Sequence, residues 1–314
     1  MTEEIKDQYG RTFKTLRVSL TELCNLSCGY CVSGNNVKSS SGKLNHDQFV
    51  EIISKLNEIL SFNTIRLTGG EPLIFKDIIP LIKSISSLGI DLKMTTNGFL
   101  LEKKAGELFD AGLKCINVSL DAIDEDIFAS ITRTSGANKV IKGIDAAIAA
   151  GINVKLNCVV LKDLNEDQLI PLLQFSKSRG IIIRYLELMN MGYLYKAQKD
   201  FLVSEREILQ NISSKYQVRE LPRKHSSTSR YWVTNDNATF GIISNISRPF
   251  CHDCDRLRLD SSGNIYGCLS SEKKFNIYHH LYDKEALVDL LNQALSEKKD
   301  FFTGSNVSMM QVGG

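Results

Sequence analysis

The chain has 314 residues, of which 43% are hydrophobic and 24% are charged, and its formal net charge at pH 7 is +2. This length and composition can bury a large core, which excludes a wholly disordered protein and allows either one barrel-sized domain with an appendage or two ordinary domains. The net charge is too small to indicate binding to nucleic acid or to an acidic membrane surface, so functional basic residues must be clustered locally.

The cellular compartment is predicted from the amino terminus and the cysteines. The first segment, MTEEIKDQYG, is charged and polar, and no apolar run in the sequence approaches the length of a membrane span. We therefore expect a cytoplasmic protein with no membrane partner. Because the cytosol keeps thiols reduced, clustered cysteines are interpreted as metal ligands and not as disulfides.

Short β-branched segments alternate with amphipathic segments along most of the chain, which predicts βα units around a parallel sheet. The predicted strands are 16–20, 64–68, 91–95, 115–120, 153–160 and 181–188. The predicted helices are 46–60, 76–88, 101–111, 138–150 and 165–178, several of them followed by glycine. Six units are fewer than the eight of a closed barrel, so we expect an α/β fold with an open, partial (β/α)6 TIM-like barrel.

The pattern changes near residue 220, where we place a boundary between a barrel region, 1–220, and an α+β extension, 221–314. YWVTNDNATFGII predicts a hairpin, and a second hairpin-like stretch carries three cysteines. The Ser/Asn-rich segment SGNNVKSSSG, 33–42, is either a surface loop or a lid. The end of the chain, SMMQVGG, shows no clear helix pattern.

Six of the eight cysteines form two triplets. The first triplet, with C-x3-C-x2-C spacing, is Cys24, Cys28 and Cys31; the second, with C-x2-C-x13-C spacing, is Cys251, Cys254 and Cys268. Three thiolates leave one iron of a four-iron cluster open, as a catalytic metal site keeps one position free. For the second triplet, a zinc ion with His252 as fourth ligand is an open alternative. We assign Cys115 and Cys158, within apolar strands, to the core.

Polar groups follow the predicted strands at their carboxyl ends, where functional groups of parallel βα folds collect. Strand two leads into TGGEP, 68–72, whose glycines let the backbone approach a ligand and whose Glu71 can accept from an ammonium group. Strand three ends in TTNG, 95–98. The other strand-end groups are Ser119, Asp121, Lys155, Asn157, Glu187 and Met189. We expect all of them to face one mouth of the barrel.

The first triplet, with Tyr30 before its last cysteine and GGEP after the second strand, resembles the radical S-adenosylmethionine superfamily. The second triplet, the RLR that follows Cys254 and the terminal double glycine are more specific. They are similar to the GTP 3′,8-cyclase family of molybdenum cofactor biosynthesis, the MoaA type. Further matching segments are GRTFKTLRVSLTELCN (10–25), IRLTGGEPL (65–73), NVSLDAID (117–124) and FCHDCDRLRLDSSG (250–263).

The resemblance implies a [4Fe–4S] cluster on each triplet. The open iron of the first would bind S-adenosylmethionine, from which an electron generates a 5′-deoxyadenosyl radical. The contacts of this cofactor would be Tyr30, Gly70, Glu71, Ser119 and Met189. The open iron of the second, in the carboxy-terminal extension, would bind the guanine base of GTP.

The resemblance also implies a substrate site rich in arginine, whose planar fork suits phosphate and guanine edges. The substrate contacts would be Arg17, Arg66, Thr95, Lys155, Arg256, Leu257 and Arg258. The catalytic residues would be Arg17, Arg256, Arg258, Gly313 and Gly314, with the two glycines reaching into the barrel mouth. Residues two apart on a strand share a face, so Arg256 and Arg258 should point the same way.

The implied reaction converts GTP to 3′,8-cyclo-7,8-dihydro-GTP. Its implied partners are an electron donor such as flavodoxin or ferredoxin and a downstream cyclic pyranopterin monophosphate synthase, and a homodimer is allowed. Two alternatives stay open. One is a radical S-adenosylmethionine enzyme with an auxiliary cluster that acts on another nucleotide or a peptide, and the other is a non-catalytic zinc-binding protein.

Overall fold

The structure, a computed structural model, describes residues 5–32 and 43–313. Its strands are β1 (Thr15–Ser19), β2 (Thr64–Thr68), β3 (Asp91–Thr96), β4 (Cys115–Ser119), β5 (Asn153–Val160), β6 (Ile182–Glu187), β7 (Val218–Leu221), β8 (Arg230–Thr234), β9 (Thr239–Ile243), β10 (Arg256–Leu259), β11 (Asn264–Tyr266) and β12 (Phe275–Asn276). Its helices are α1 (His46–Leu60), α2 (Ile78–Ser86), α3 (Leu101–Asp110), α4 (Glu125–Thr132), α5 (Ala137–Ala149), α6 (Leu169–Ser178), α7 (Glu205–Ser213), α8 (Lys284–Ser296) and α9 (Met309–Val312).

The strands of the described residues form one sheet, in the order β12-β11-β10-β1-β2-β3-β4-β5-β6-β9-β8-β7. Strands β1 to β6 are parallel neighbours in chain order, since helical crossovers connect them. The α/β partial barrel expected from the sequence is confirmed. The later strands extend both edges: β10 pairs in parallel with β1, and β9 pairs in parallel with β6.

The six predicted strands correspond to β1–β6, with ends that differ by at most one residue. The hairpin predicted after residue 220 is formed by β8 and β9, and β10 pairs antiparallel with β11. Helices α4, α7 and α8 were not predicted, and α9 lies in the terminal segment for which no helix was expected. Helix α4 is only eight residues long, so it offers little periodicity, and its start depends on the Asp124 side chain accepting from two backbone N–H groups.

Side-chain alternation on the strands separates the core from the barrel interior. On β1 and β2, Leu16, Val18, Ile65 and Leu67 are fully buried in the main hydrophobic core. The intervening residues face the other side of the sheet, because successive side chains of a strand alternate. Polar residues at these positions therefore line the interior, where the site lies. Within the described part of the chain, no helix has the length and apolar character of a membrane span.

The packing of α8 against β11 leaves no room for a side chain at Gly267, the residue that directly precedes Cys268. A Cβ atom at Gly267 would lie 1.8 Å from the Ala294 carbonyl oxygen of α8. We expect Gly267→Ala to lower the free energy of unfolding by about 3 kcal/mol or more, because neither backbone can yield. The control is Gly106→Ala in α3, where a methyl group meets nothing within 4 Å among the described residues.

The control should raise the free energy of unfolding by about 0.5–1 kcal/mol, since alanine favours a helix over glycine. Urea denaturation of the reduced, iron-free chain measures both changes. Equal stability of the two variants would contradict the packing of α8.

Candidate active site

The barrel interior contains two adjoining cavities, of about 210 and 270 Å³. The first triplet lines the smaller cavity, and the second triplet lines the larger one. The residues that line both are Thr95, Asn157, Leu186, Met189 and Met309. The two triplets, 220 residues or more apart in sequence, thus open onto neighbouring spaces that share a wall.

The first triplet is held by contact with the GGEP loop. The Gly70 N–H donates to the Thr21 carbonyl at 2.7 Å, and the Glu71 N–H donates to the Leu23 carbonyl at 2.8 Å, immediately before Cys24. A Cβ atom at Gly70 would lie 2.1 Å from the Leu23 oxygen. The glycine is therefore required by the cysteine loop, in addition to any approach of a ligand.

Burial acts on all three thiols of the first triplet. It raises the pKa of Cys24 and Cys28, and it raises the pKa of Cys31 to about 12. Thiols in this state stay protonated until a metal binds and removes the proton. The donor set, three sulfurs at one end of a cavity, fits a cluster that keeps one iron for another ligand.

Glu71 does not line the first cavity, although the sequence predicted an ammonium contact for it. Its carboxylate is 1% exposed and accepts from the Leu73 N–H at 3.0 Å, the Thr96 hydroxyl at 2.7 Å and the Asn97 N–H at 2.7 Å. Burial raises the pKa of Glu71 to about 7. These contacts make Glu71 the residue that joins the GGEP and TTNG loops, while Gly70 and Asn97 provide the cavity surface.

The remaining predicted cofactor contacts, Tyr30, Ser119 and Met189, line the first cavity. The Tyr30 hydroxyl donates to Asp121 at 2.8 Å, and Asp121 also accepts from the Val159 N–H at 2.8 Å. Burial raises the pKa of Asp121 to about 6. The aromatic ring next to Cys31 is thus anchored to the strand ends on the far side of the cavity.

Positive side chains dominate the second cavity. They are Arg17, Arg66, Lys93, Arg184, Arg256, Arg258, Lys298 and Lys299. Aspartate and glutamate are absent from the described lining. Strand register places Arg258, Arg17, Arg66 and Lys93 in one row across β10, β1, β2 and β3. Lys93 pairs with Asp91 at 2.6 Å, but the three arginines repel one another, which favours the binding of an anion in this cavity.

Burial and mutual repulsion both lower the pKa values of the arginines in this cavity. Burial, followed by the charges of Arg258 and Arg66, lowers the pKa of Arg17 well below its usual range. Burial, followed by Arg184 and Arg256, lowers the pKa of Arg66 to about 10. Arg66 Nη1 and Arg184 Nε are buried donors that find no acceptor among residues 5–32 and 43–313. A bound anion would satisfy them.

Two predicted substrate contacts lie outside this lining. The Leu257 side chain is fully buried in the hydrophobic core, because it occupies the opposite face of β10 from Arg256 and Arg258. The Lys155 ammonium lies 6.0 Å from the centre of the Tyr231 ring. Sequence reasoning missed Lys93, Arg184, Lys298 and Lys299, which also line this cavity. Lys93 is two residues before Thr95 on β3, so the alternation of side chains along the strand could have predicted that Lys93 shares the face of Thr95.

The last described residues, up to Gly313, lie inside the barrel. Arg258 Nη1 donates to the Val312 carbonyl at 2.9 Å and to the Gly313 carbonyl, and the Ser19 hydroxyl donates to the Met310 carbonyl at 3.0 Å. Gly313 has a φ of 75°, and a Cβ atom there would lie 2.4 Å from Thr68 Cγ2. Gly314 and the segment 33–42, for which a lid was one interpretation, lie outside the described residues.

The second triplet is surrounded by cations. Cys254 Sγ accepts from Arg256 at 3.5 Å and from Lys298 at 3.6 Å. Burial opposes ionisation of Cys254, but the charges of Lys298 and Arg256 outweigh it and lower the pKa to about 7. Burial raises the pKa of Cys251 to about 12. His252, the alternative zinc ligand, has a side chain that is 63% exposed.

Over residues 5–32 and 43–313, no three His, Cys, Asp or Glu side chains are close enough together to share one metal ion. A four-iron cluster spaces its thiolates more widely than a single ion does, so this finding concerns single-ion sites only.

Two protein families match this chain. Residues 18–176 match the radical SAM superfamily, and residues 181–303 match the family described as Molybdenum Cofactor Synthesis C. A GTP 3′,8-cyclase of Clostridium botulinum is 36% identical over 320 residues, covering 98% of this chain and 99% of the relative. One from Staphylococcus aureus is 40% identical over 280 residues, covering 86% and 82%.

Solved structures support the fold. SuiB of Streptococcus suis, bound to S-adenosylmethionine, superposes with a TM-score of 0.62 at 15% identity, covering 89% of this chain and 68% of that one. A second SuiB structure has a TM-score of 0.64 at 16% identity, with coverage of 90% and 68%. At this identity the likeness concerns the fold alone.

The raised pKa of Glu71 predicts a pH dependence of stability. An acid whose pKa rises from 4.5 to about 7 on folding stabilises the fold fully below the lower value, and this stability is lost as pH rises through the upper one. Glu71→Gln cannot ionise. Between about pH 5.5 and pH 8, we expect the wild type to lose about 2 kcal/mol relative to this variant, at 1.36 kcal/mol per pKa unit.

Urea denaturation of both iron-free chains at the two pH values measures this difference. A difference that stays constant with pH would show that Glu71 is ionised in the folded chain throughout this range.

Proposed function

Because this chain belongs to the GTP 3′,8-cyclase family of radical S-adenosylmethionine enzymes, we propose that it converts GTP to 3′,8-cyclo-7,8-dihydro-GTP in molybdenum cofactor biosynthesis. One observation carries the proposal at the level of the site. A thiol-lined cavity adjoins a cavity with eight positive side chains. A nucleoside triphosphate is the kind of ligand whose phosphates match such a charge.

The first cavity is proposed to hold a [4Fe–4S] cluster on Cys24, Cys28 and Cys31, with S-adenosylmethionine along Tyr30, Gly70, Ser119 and Met189. When bound, the cluster and S-adenosylmethionine supply one-electron chemistry that protein side chains lack. The chain contributes placement. Gly70 keeps the cysteine loop against the strand end, Glu71 fixes the TTNG loop next to it, and Tyr30 is held by Asp121.

The second cavity is proposed to hold the substrate and a second [4Fe–4S] cluster on Cys251, Cys254 and Cys268. Support comes from the three sulfurs in one lining and from the exposed position of His252, which leaves the fourth ligand to the substrate. The two cavities share a wall, so a nucleotide in the second cavity can present its ribose to the first. Such placement is the main task in closing a ring within one molecule.

The cations are proposed to divide the binding of GTP between them. Arg256 and Arg258 lie on β10, which follows Cys254, Arg17 is the register partner of Arg258 on β1, and Arg66 and Thr95 lie on β2 and β3. The unsatisfied donors of Arg66 and Arg184 support a phosphate position between β2 and β6. Roles for Lys155 and Leu257 remain predictions, since neither side chain lies in the described lining.

Further proposals concern organisation and partners. We propose that residues 1–220 carry S-adenosylmethionine and that residues 221–314 carry the second cluster. A cytosolic location suits free thiols that bind iron. An electron donor such as flavodoxin or ferredoxin would reduce the first cluster, cyclic pyranopterin monophosphate synthase would take the product, and a homodimer is allowed.

The proposed function is tested by anaerobic incubation of the reconstituted protein with S-adenosylmethionine, dithionite and GTP, followed by mass spectrometry. The expected products are 5′-deoxyadenosine and the cyclised nucleotide, from a protein with about eight irons per chain. Deoxyadenosine without cyclised GTP would assign the chain to another substrate. Zinc in place of iron, without turnover, would identify a binding protein.

The terminal segment makes a second prediction. Gly313→Ala adds a methyl group against Thr68 Cγ2, and we expect it to lower formation of the cyclised nucleotide by at least about tenfold. The matched control is Gly10→Ala. Gly10 also has a φ of 75°, but a Cβ atom there meets nothing within 4 Å in the described chain.

The control incurs the same backbone strain without the steric clash, so its turnover should stay within about twofold of the wild type. Both variants are compared by mass spectrometry at saturating GTP. Equal turnover of the two variants would show that Gly313 does not contribute to the active site.

A further inference from the structure

Lys298, just after α8, is a buried lysine with an unusual set of partners. The residue is 3% exposed. Its ammonium group donates to the Arg256 carbonyl at 2.8 Å, to the Gly267 carbonyl at 3.1 Å and to Cys254 Sγ at 3.6 Å. An ammonium group has three donors, so these contacts use all of them. The geometry is that of a fixed group and not of a solvated surface lysine.

The positions of the acceptors connect two segments of the second triplet. Arg256 follows Cys254 by two residues, and Gly267 directly precedes Cys268. The segments are separate in sequence, and β10 and β11 pair only through residues between them. Lys298 therefore ties together the backbones that carry two of the three sulfurs, at a point where Gly267 also packs against α8.

The charge of Lys298 has no carboxylate partner among the described residues, since its hydrogen bonds there end on two carbonyls and one sulfur. A buried charge is costly unless an opposite charge lies near it. The sulfur of Cys254, 3.6 Å from the ammonium nitrogen, is an acceptor that carries negative charge when it binds a metal. Arg256 Nη1, at 3.5 Å from the same sulfur, adds a second donor.

We propose that Lys298 is a positioning residue of the second iron–sulfur site, which sets the geometry of Cys254 and Cys268 and raises the reduction potential of a cluster held there. The inference rests on the proposed second cluster. Reduction adds negative charge to a cluster, and a buried cation with an N–H···S contact stabilises the more negative form.

The test uses the full chain with Cys24, Cys28 and Cys31 replaced by alanine, so that only the second triplet can bind iron. The cluster is reconstituted anaerobically, iron is counted, and the midpoint potential is measured by a redox titration followed by electron paramagnetic resonance. Lys298→Met removes the charge and the donors, Lys298→Gln keeps amide donors without the charge, and Lys298→Arg keeps the charge.

We expect Lys298→Met and Lys298→Gln to make the one-electron reduction about tenfold less favourable, a shift of about 59 mV towards negative potential. Lys298→Arg should stay near the parent value. The control is Lys273→Met, at a side chain that is 71% exposed and paired with Glu297 at 2.7 Å. Its charge lies in water, so the potential should not change.

The outcomes separate this inference from the proposed function. A parent chain that takes up no iron would overturn the second cluster, and the role of Lys298 with it. A cluster of four irons whose potential is the same in Lys298→Met, Lys298→Gln and the parent would overturn the role of Lys298 alone. Loss of iron uptake in Lys298→Met but not in Lys298→Arg would support it, because the charge would then be required to hold the ligands.

Discussion

Repulsion between buried arginines is the constraint around which the interior of this barrel is organised. Arg258, Arg17 and Arg66 occupy one row across three neighbouring strands, and Lys93, which pairs with Asp91, continues the row on β3. Strand alternation forces this arrangement, because the opposite face of the same strands supplies the core. A fold that places like charges side by side loses stability, which the binding of a polyanion restores. The same row of cations thus lowers the stability of the fold and gives it the capacity to bind GTP.

The first cofactor site is built from close contact between loops. The GGEP loop touches the backbone just before Cys24, and only glycine at position 70 allows that distance. Glu71 then connects this loop to the TTNG loop through two hydrogen bonds, from the Thr96 hydroxyl and the Asn97 N–H. The loops that follow β1, β2 and β3 are therefore connected to one another. Such connections suit an enzyme whose protein part contributes mainly the position of reactive groups.

The carboxy-terminal region adds strands to both edges of the sheet. Strand β10 joins β1, strand β9 joins β6, and the last residues reach Arg258 and Ser19 inside. This arrangement brings the second triplet into the lining of the second cavity. Lys298 then joins the segments that carry Cys254 and Cys268, and Gly267 packs against α8. A region that looks like an appendage in sequence is thus part of the same sheet and of the same site.

The sequence by itself determined what depends on near neighbours: six strands, whose periodicity is local, and two cysteine triplets, whose spacing indicates their chemistry. It did not indicate helix α4 or the lysine at position 298. The tertiary structure decided which side chains meet. Glu71 faces the TTNG loop, Leu257 faces the core and Lys298 reaches Cys254, 44 residues away in sequence. Such contacts join elements far apart in the chain, and no local pattern records them.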